Sequence, residues 1–180
     1  MTATDFAVLI TKFLTEYLPL HRNCSKYTIS SYKDSLKLFI LFLRDGKSMN
    51  INKFKMRQID RELILEFIEW LKNRGNTPVT INQRLAGIKS FINFAQYESV
   101  ENLAYLQPVL SVKSLKTTTR QVDYLTEEQM NSLINLPPTD TFTGLRHRII
   151  MCLLYDTGAR VQELCDLKIE DINLGNNPTV

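Results

Sequence analysis

The stretch Thr77-Pro78-Val79-Thr80-Ile81-Asn82-Gln83-Arg84-Leu85-Ala86-Gly87-Ile88-Lys89 reads as the opening of a helix. Thr77 is a capping residue, and Pro78 fills the first helical position, where a missing N–H costs nothing. Ile81, Leu85, Ile88, Phe91, Ile92 and Ala95 then recur at the spacing of one buried helical face and carry the helix to about Tyr97. Upstream the pattern repeats. Thr4 caps a helix with Phe6, Leu9, Ile10, Phe13, Leu14, Tyr17 and Leu18 on one side, and Pro19 is expected to end it. A second helix runs from about Thr28 to Arg44 on Ile29, Tyr32, Leu36, Phe39, Ile40 and Leu43, with Gly46 just beyond. Asp60 caps a third, with Ile59 and Ile64 placed as a hydrophobic staple and Leu63, Phe67, Ile68 and Leu71 along its stripe. Four amphipathic helices can close one core, so residues 1–106 read as a helical bundle.

Downstream the stripe stops. Gln107 to Val122 holds a proline, scattered Ser and Thr, Lys113, Lys116 and Arg120, and reads as a linker. Residues 123–180 read as a second unit. It opens at Leu125-Thr126-Glu127-Glu128-Gln129-Met130, where Thr126 and Gln129 fit a capping box and Leu125 and Met130 a staple. Pro137-Pro138 breaks that helix. A further helix, about Leu145 to Asp156, precedes a turn at Thr157-Gly158 and a short helix from Arg160 or Val161. Ile169 and Ile172, followed by Asn173, Gly175, Asn176, Asn177 and Pro178, predict a strand running into a turn.

Composition narrows the classes. A chain of 180 residues, 44% hydrophobic and 23% charged, matches neither a disordered segment nor a collagen-like repeat. No apolar run approaches the roughly 18 residues of a membrane span, and the N-terminus shows no secretory leader. Cys24, Cys152 and Cys165 are odd in number and never spaced as Cys-x-x-Cys. That argues against a disulfide framework and a zinc site, and fits reduced thiols in a cytoplasmic protein. Neither His21 nor His147 begins a metal-ligand pattern, and no glycine-rich phosphate loop occurs. The charge is uneven: residues 1–116 carry 17 Lys and Arg against 10 Asp and Glu, and residues 117–180 carry 5 against 9. A basic half suits a polyanionic partner.

Two segments carry chemistry. In Thr157-Gly158-Ala159-Arg160-Val161-Gln162-Glu163-Leu164, a glycine turn is followed by a guanidinium at a helix start. Free N–H groups after such a turn, with Arg160, would make a phosphate site, and Glu163 is one turn on to hold the arginine. An Arg–Glu surface pair after an ordinary turn fits the same eight residues. The second segment is the quoted helix, whose stripe leaves Thr80, Asn82, Gln83, Arg84 and Lys89 on other faces. The helix from Thr28 likewise leaves Lys26 near its start, then Thr28, Ser30, Ser31, Lys33 and Lys37. Such residues on two helices of one bundle suit phosphates and base edges, although solvated faces are the commoner outcome.

With these phrases in view, the layout resembles the tyrosine recombinases, also called phage integrases. The resemblance runs in order through Tyr27-Thr28-Ile29-Ser30-Ser31-Tyr32 with Leu36, Phe39, Phe42 and Leu43. It continues through Thr80-Ile81-Asn82-Gln83-Arg84-Leu85-Ala86-Gly87-Ile88-Lys89 and Tyr124-Leu125-Thr126-Glu127-Glu128. It ends with Leu154-Tyr155-Asp156-Thr157-Gly158-Ala159-Arg160, Glu163-Leu164, Leu167 and Asp171-Ile172. It implies a mainly α chain: a SAM-like core-binding helical bundle, then the helical beginning of an integrase-type α+β catalytic domain. It also implies that duplex DNA is the partner and that longer family members assemble as tetramers on paired sites. Strand cleavage and rejoining would pass through a 3′-phosphotyrosine link, with no metal or nucleotide consumed.

Arg160 falls on the first active-site arginine of the family, and Glu163 on the acidic residue that supports it. The family's hairpin lysine, its His-x-x-Arg pair, its later His or Trp and its nucleophilic tyrosine follow beyond the region these residues match. The seven tyrosines here fall in other elements, with Tyr32 and Tyr155 reading as core. The 180 residues are therefore expected to bind DNA without cleaving it. A non-catalytic DNA-binding regulator, or a helical module whose basic face meets an acidic protein, also fits the residues.

Overall fold

Local chemistry starts the helices of the first unit. Thr4 Oγ1 accepts from the Ala7 N–H at 3.4 Å and opens α1 (Asp5–Lys12). Ser25 does the same for α2 (Lys26–Leu41) through Thr28, at 3.2 Å. Asp60 Oδ1 accepts from Leu63 at 2.8 Å and opens α3 (Arg61–Asn73), with Ile59 and Ile64 both buried as the staple requires. Thr77 Oγ1 accepts from Thr80 at the start of α4 (Pro78–Glu98). The computed structural model describes residues 3–98, 100–118 and 123–173. Parts of the expected linker, residues 119–122, and of the expected tail turn, 174–180, lie outside them. The chain is mainly α and divides into two units, residues 1–119 and 120–180.

Pro19 does not end the first helix. Past Lys12 the chain widens into a π-helix, Phe13–His21, with Pro19 inside it, and Arg22 N–H closes the coil on the Tyr17 carbonyl at 2.9 Å. A proline lacks the N–H donor and crowds the carbonyl four residues back, so an α-helix would break here. The wider coil tolerates the ring and keeps Phe13 and Leu18 buried. A second π segment, Phe42–Gly46, extends α2.

Aromatic rings fill the core. Phe6 meets Phe54 edge-on at 4.9 Å, and Phe13 meets Phe91 at 5.6 Å. Phe39 and Phe42 pack on Phe67 at 5.2 and 5.5 Å, with Trp70 beside Phe42 at 5.8 Å. Such contacts favour tilted and edge-to-face geometry because of the ring quadrupole. Asp5 Oδ1 accepts from the Met56 N–H, which fixes the two short 3-10 turns, Ile51–Lys53 and Met56–Gln58, against α1.

The bundle runs further than residue 106. A fifth helix, α5 (Val100–Leu110), packs along α4 and contains Pro108. Leu106, Val109 and Val112 recur every three residues and are buried, and Leu115 is half-buried against the same core. The first part of the expected linker is thus packed structure. Its proline and polar residues mask that apolar spacing in the sequence.

In the second unit, Thr126 and Gln129 form the expected capping box at the start of α6 (Glu127–Asn135), with bonds of 3.2 and 2.9 Å. Thr141 opens α7 (Phe142–Thr157), and α8 (Val161–Asp166) follows. Gly144 is the buried residue here among those described, under the Pro138 carbonyl. Leu125 stays 53% exposed, so it makes no buried staple with Met130, and Tyr155 stays 50% exposed rather than entering a core. Helix α7 packs on α6 and on α8. Ile169–Asp171 is a 3-10 turn and not a strand. Asp171 Oδ2 accepts from the Lys168 N–H at 2.9 Å, a local bond that competes with an extended backbone.

Candidate nucleic-acid interface and phosphate site

Helices α2 and α4 cross where Ser35 meets Gly87. A Cβ on Gly87 would fall 2.7 Å from Ser35 Oγ and 2.8 Å from its Cβ, so only glycine permits this approach. Ser35 is buried, and its hydroxyl donates to the Ser31 carbonyl at 3.0 Å. Beside the crossing lies a groove lined by Tyr27, Thr28, Ser31, Gln83 and Ala86. Gln83 Nε2 reaches Ser31 Oγ across it at 3.4 Å. The structure therefore brings Thr28, Ser31 and Gln83 together.

The remaining expected contacts divide. Lys26 and Lys33 are exposed, and at about 100° per residue they sit on the outer side of α2, away from the groove. Thr80 is half-buried and shares a hydroxyl bond with Thr77 at 3.1 Å. Arg84 is half-buried, and its Nε is buried with no hydrogen-bond partner among the described residues. A donor left unmet in that way costs free energy until an acceptor arrives.

Asn82 and Lys89 are differently engaged. Asn82 Nδ2 donates to the Leu115 carbonyl at 2.9 Å, and Asn82 Oδ1 accepts from the Leu115 N–H at 2.8 Å. Lys89 Nζ donates to the Val112 carbonyl. Both side chains spend their polar atoms on the main chain that follows α5. Sequence reasoning also passes over Tyr27 as a site residue, although its ring is 79% exposed at the groove. The signal is its position between Lys26 and Thr28, an aromatic residue among basic and polar ones.

In the second unit, Gly158 caps α7 in the left-handed region, at φ 65°, and its N–H donates to the Leu154 carbonyl. The Ala159 N–H donates to Thr157 Oγ1 at 3.2 Å, and the Arg160 N–H to Glu163 Oε2 at 2.7 Å. These three N–H groups of the turn are thus engaged within the chain. What remains is the guanidinium. Arg160 Nη1 donates to Glu163 Oε1 at 2.9 Å, and the arginine side chain is 85% exposed. The main-chain bond from Arg160, and then its guanidinium, hold the Glu163 carboxyl below the usual glutamate range.

Both units have counterparts among known proteins. Residues 10–99 match the model of the phage integrase N-terminal SAM-like domain, and residues 123–179 match the phage integrase family. The chain belongs to the phage integrase family of tyrosine recombinases. This integrase-family chain is 30% identical over 165 residues to tyrosine recombinase XerC of Staphylococcus carnosus, covering 91% of the chain and 52% of that protein. It is 32% identical over 155 residues to XerD of Halalkalibacterium halodurans, covering 86% and 50%. The chain thus spans about half the length of the curated relatives it matches. The Tn1549 transposon integrase, solved in complex with circular intermediate DNA, shares its fold, with a TM-score of 0.65 and 16% identity over 97% of this chain and 52% of that one.

Proposed function

We propose that this integrase-family chain binds duplex DNA through the α2–α4 groove. Thr28, Ser31, Thr80, Gln83 and Arg84 would contact bases and phosphates, and Lys26 and Lys33, on the outer side of α2, would add to the positive field that draws the polyanion in. The observation that carries this reading is the groove itself: the Gln83 amide, the Thr28 and Ser31 hydroxyls and the Tyr27 phenol converge on one crossing of the basic unit, and Arg84 on the same helix has a buried Nε with no partner among the described residues. Gln and Arg are the side-chain types that read base edges in two-pronged contacts. The DNA bound by the Tn1549 integrase of similar fold supports it.

Arg160 would take the scissile phosphate in a two-pronged contact and stabilise the charge that builds there. It would serve strand cleavage and rejoining through a 3′-phosphotyrosine link, in tetramers on paired sites, in the cytoplasm and without a metal or nucleotide. These 180 residues by themselves would bind DNA and form no covalent adduct with it.

The test is a gel-shift titration of the whole chain on duplex DNA over a salt series. Replacing Arg84 by alanine is expected to weaken binding. It should also flatten the salt dependence by about 0.9 in log–log slope for each phosphate that is no longer neutralised. Unchanged affinity and slope would overturn the DNA face. A nicked substrate run in parallel should give no protein–DNA adduct on a denaturing gel.

A further inference from the structure

Asn82 and Lys89, expected on the DNA face, are both committed to the chain that leaves α5. They are seven residues apart, two helical turns, so they project from nearly the same side of α4. That side is turned away from the groove edge that carries Gln83 and Gly87. Asn82 presents its amide to Leu115 as a neighbouring strand would, donating to the carbonyl and accepting from the N–H. Lys89 closes on Val112, three residues earlier. Val112 is buried and Leu115 half-buried, so the segment is held by packing and by three side-chain hydrogen bonds.

We infer that Asn82 and Lys89 are positioning residues that fasten residues 112–115 along α4. They fix the point from which the chain departs toward the second unit. The consequence is a shorter tether. Without the fastening, the five residues from Ser111 to Leu115 would join the tether, roughly 17 Å more of extended chain. Effective concentration falls about as the −3/2 power of tether length. Adding five residues to a tether of similar length should therefore dilute the second unit around the groove roughly two- to threefold. That affinity effect rests on the DNA-binding reading above, whereas the fastening itself does not.

Four variants of the whole chain test it: Asn82→Ala, Asn82→Asp, Lys89→Met and Lys89→Arg. Hydrogen exchange should show the Leu115 amide at least tenfold faster in Asn82→Ala, with the amides of Ile88, Phe91 and Ile92 unchanged. Asn82→Asp keeps the acceptor and should restore protection of that amide. Trypsin should cut after Lys113 and Lys116 several-fold faster in Asn82→Ala and Lys89→Met, and at the parent rate in Lys89→Arg. In the salt series, Asn82→Ala combined with Lys89→Met should weaken DNA binding roughly two- to threefold with the slope unchanged, and Lys89→Met alone should leave the slope unchanged. A slope reduced by about 0.9 would mean that Lys89 contacts phosphate, and would overturn the assignment. Parent-like exchange and proteolysis in Asn82→Ala and Lys89→Met would overturn it too. If no variant or parent binds DNA, the function proposed above fails, while exchange and proteolysis still decide the fastening.

Discussion

Glu163 holds Arg160 at two points, the main-chain N–H and the guanidinium, and both residues are open to solvent. A carboxyl whose value is depressed in the folded chain contributes above its ordinary value and loses that contribution as pH falls through the lowered one. The Arg160 contact should therefore be intact at neutral pH and released only in acid, below the usual glutamate range. An NMR titration of the Glu163 side-chain carboxyl should give a midpoint below that of an ordinary glutamate. In Arg160→Ala it should rise part of the way back, because the main-chain N–H, the larger cause, remains. A midpoint in the ordinary range for the parent chain would show that the pair does not persist in solution. The Arg–Glu pairing was legible in eight residues because it is local. The closure of the three turn N–H groups was not, since it depends on where the Thr157 hydroxyl and the Leu154 carbonyl come to lie.

The α2–α4 crossing depends on one missing carbon. Gly87→Ala gains about 1 kcal/mol of helix propensity but places a Cβ against Ser35. The Ser35 hydroxyl can rotate away, while its Cβ at 2.8 Å cannot. Forced separation of packed helices costs about 1–3 kcal/mol, so the net expectation is a loss near 1 kcal/mol and a melting temperature about 4 °C lower. Thermal unfolding of Gly87→Ala checks this, and an unchanged midpoint would mean that the helices separate freely. Ser31 and Gln83 should also part, which would weaken DNA binding.

Among the elements, the sequence made legible those whose ends are set by short-range chemistry: Thr4, Asp60, Thr77 and Thr126 each cap as their spacing predicts. Pro19 misled because a π-helix depends on the core that holds Phe13 and Leu18. The bonds of Asn82 and Lys89 were not legible because their partners lie 33 and 23 residues away, and no local spacing reports a bond across that separation.

The two units differ in how they are held. The first buries a continuous apolar cluster from Phe6 to Val112. In the second, Leu136, Phe142, Val161 and Ile169 are each more than two-thirds exposed. Opening free energies follow buried apolar contacts, so the second unit should open first. Trp70 is the chain's single tryptophan and packs on Phe42 and Phe67 in the first unit, so its fluorescence reports that unit alone. In a urea titration the far-ultraviolet circular dichroism should begin to fall before Trp70 emission shifts. Coincident curves would show that the two units unfold as one cooperative body. The fold class was legible at this scale because amphipathic spacing runs through both units. The exposure of the second was not, since periodicity names an apolar face without naming what covers it.

The five-residue step from Phe13 to Leu18 bears on how the chain can change length over evolutionary time. In a helix closed between residues five apart, those two side chains stack on one side; in an α-helix, residues four apart do so. Removing one residue between them, Glu16 for instance, would leave the α-helical interval and present the same phenyl ring and the same branched side chain to the same two core sites. Elsewhere in a helix a deletion turns every later side chain by about 100°. Here the missing residue would be absorbed by narrowing of the coil, so the stretch before Pro19 is where relatives of unequal length could differ by one residue and keep the same interior.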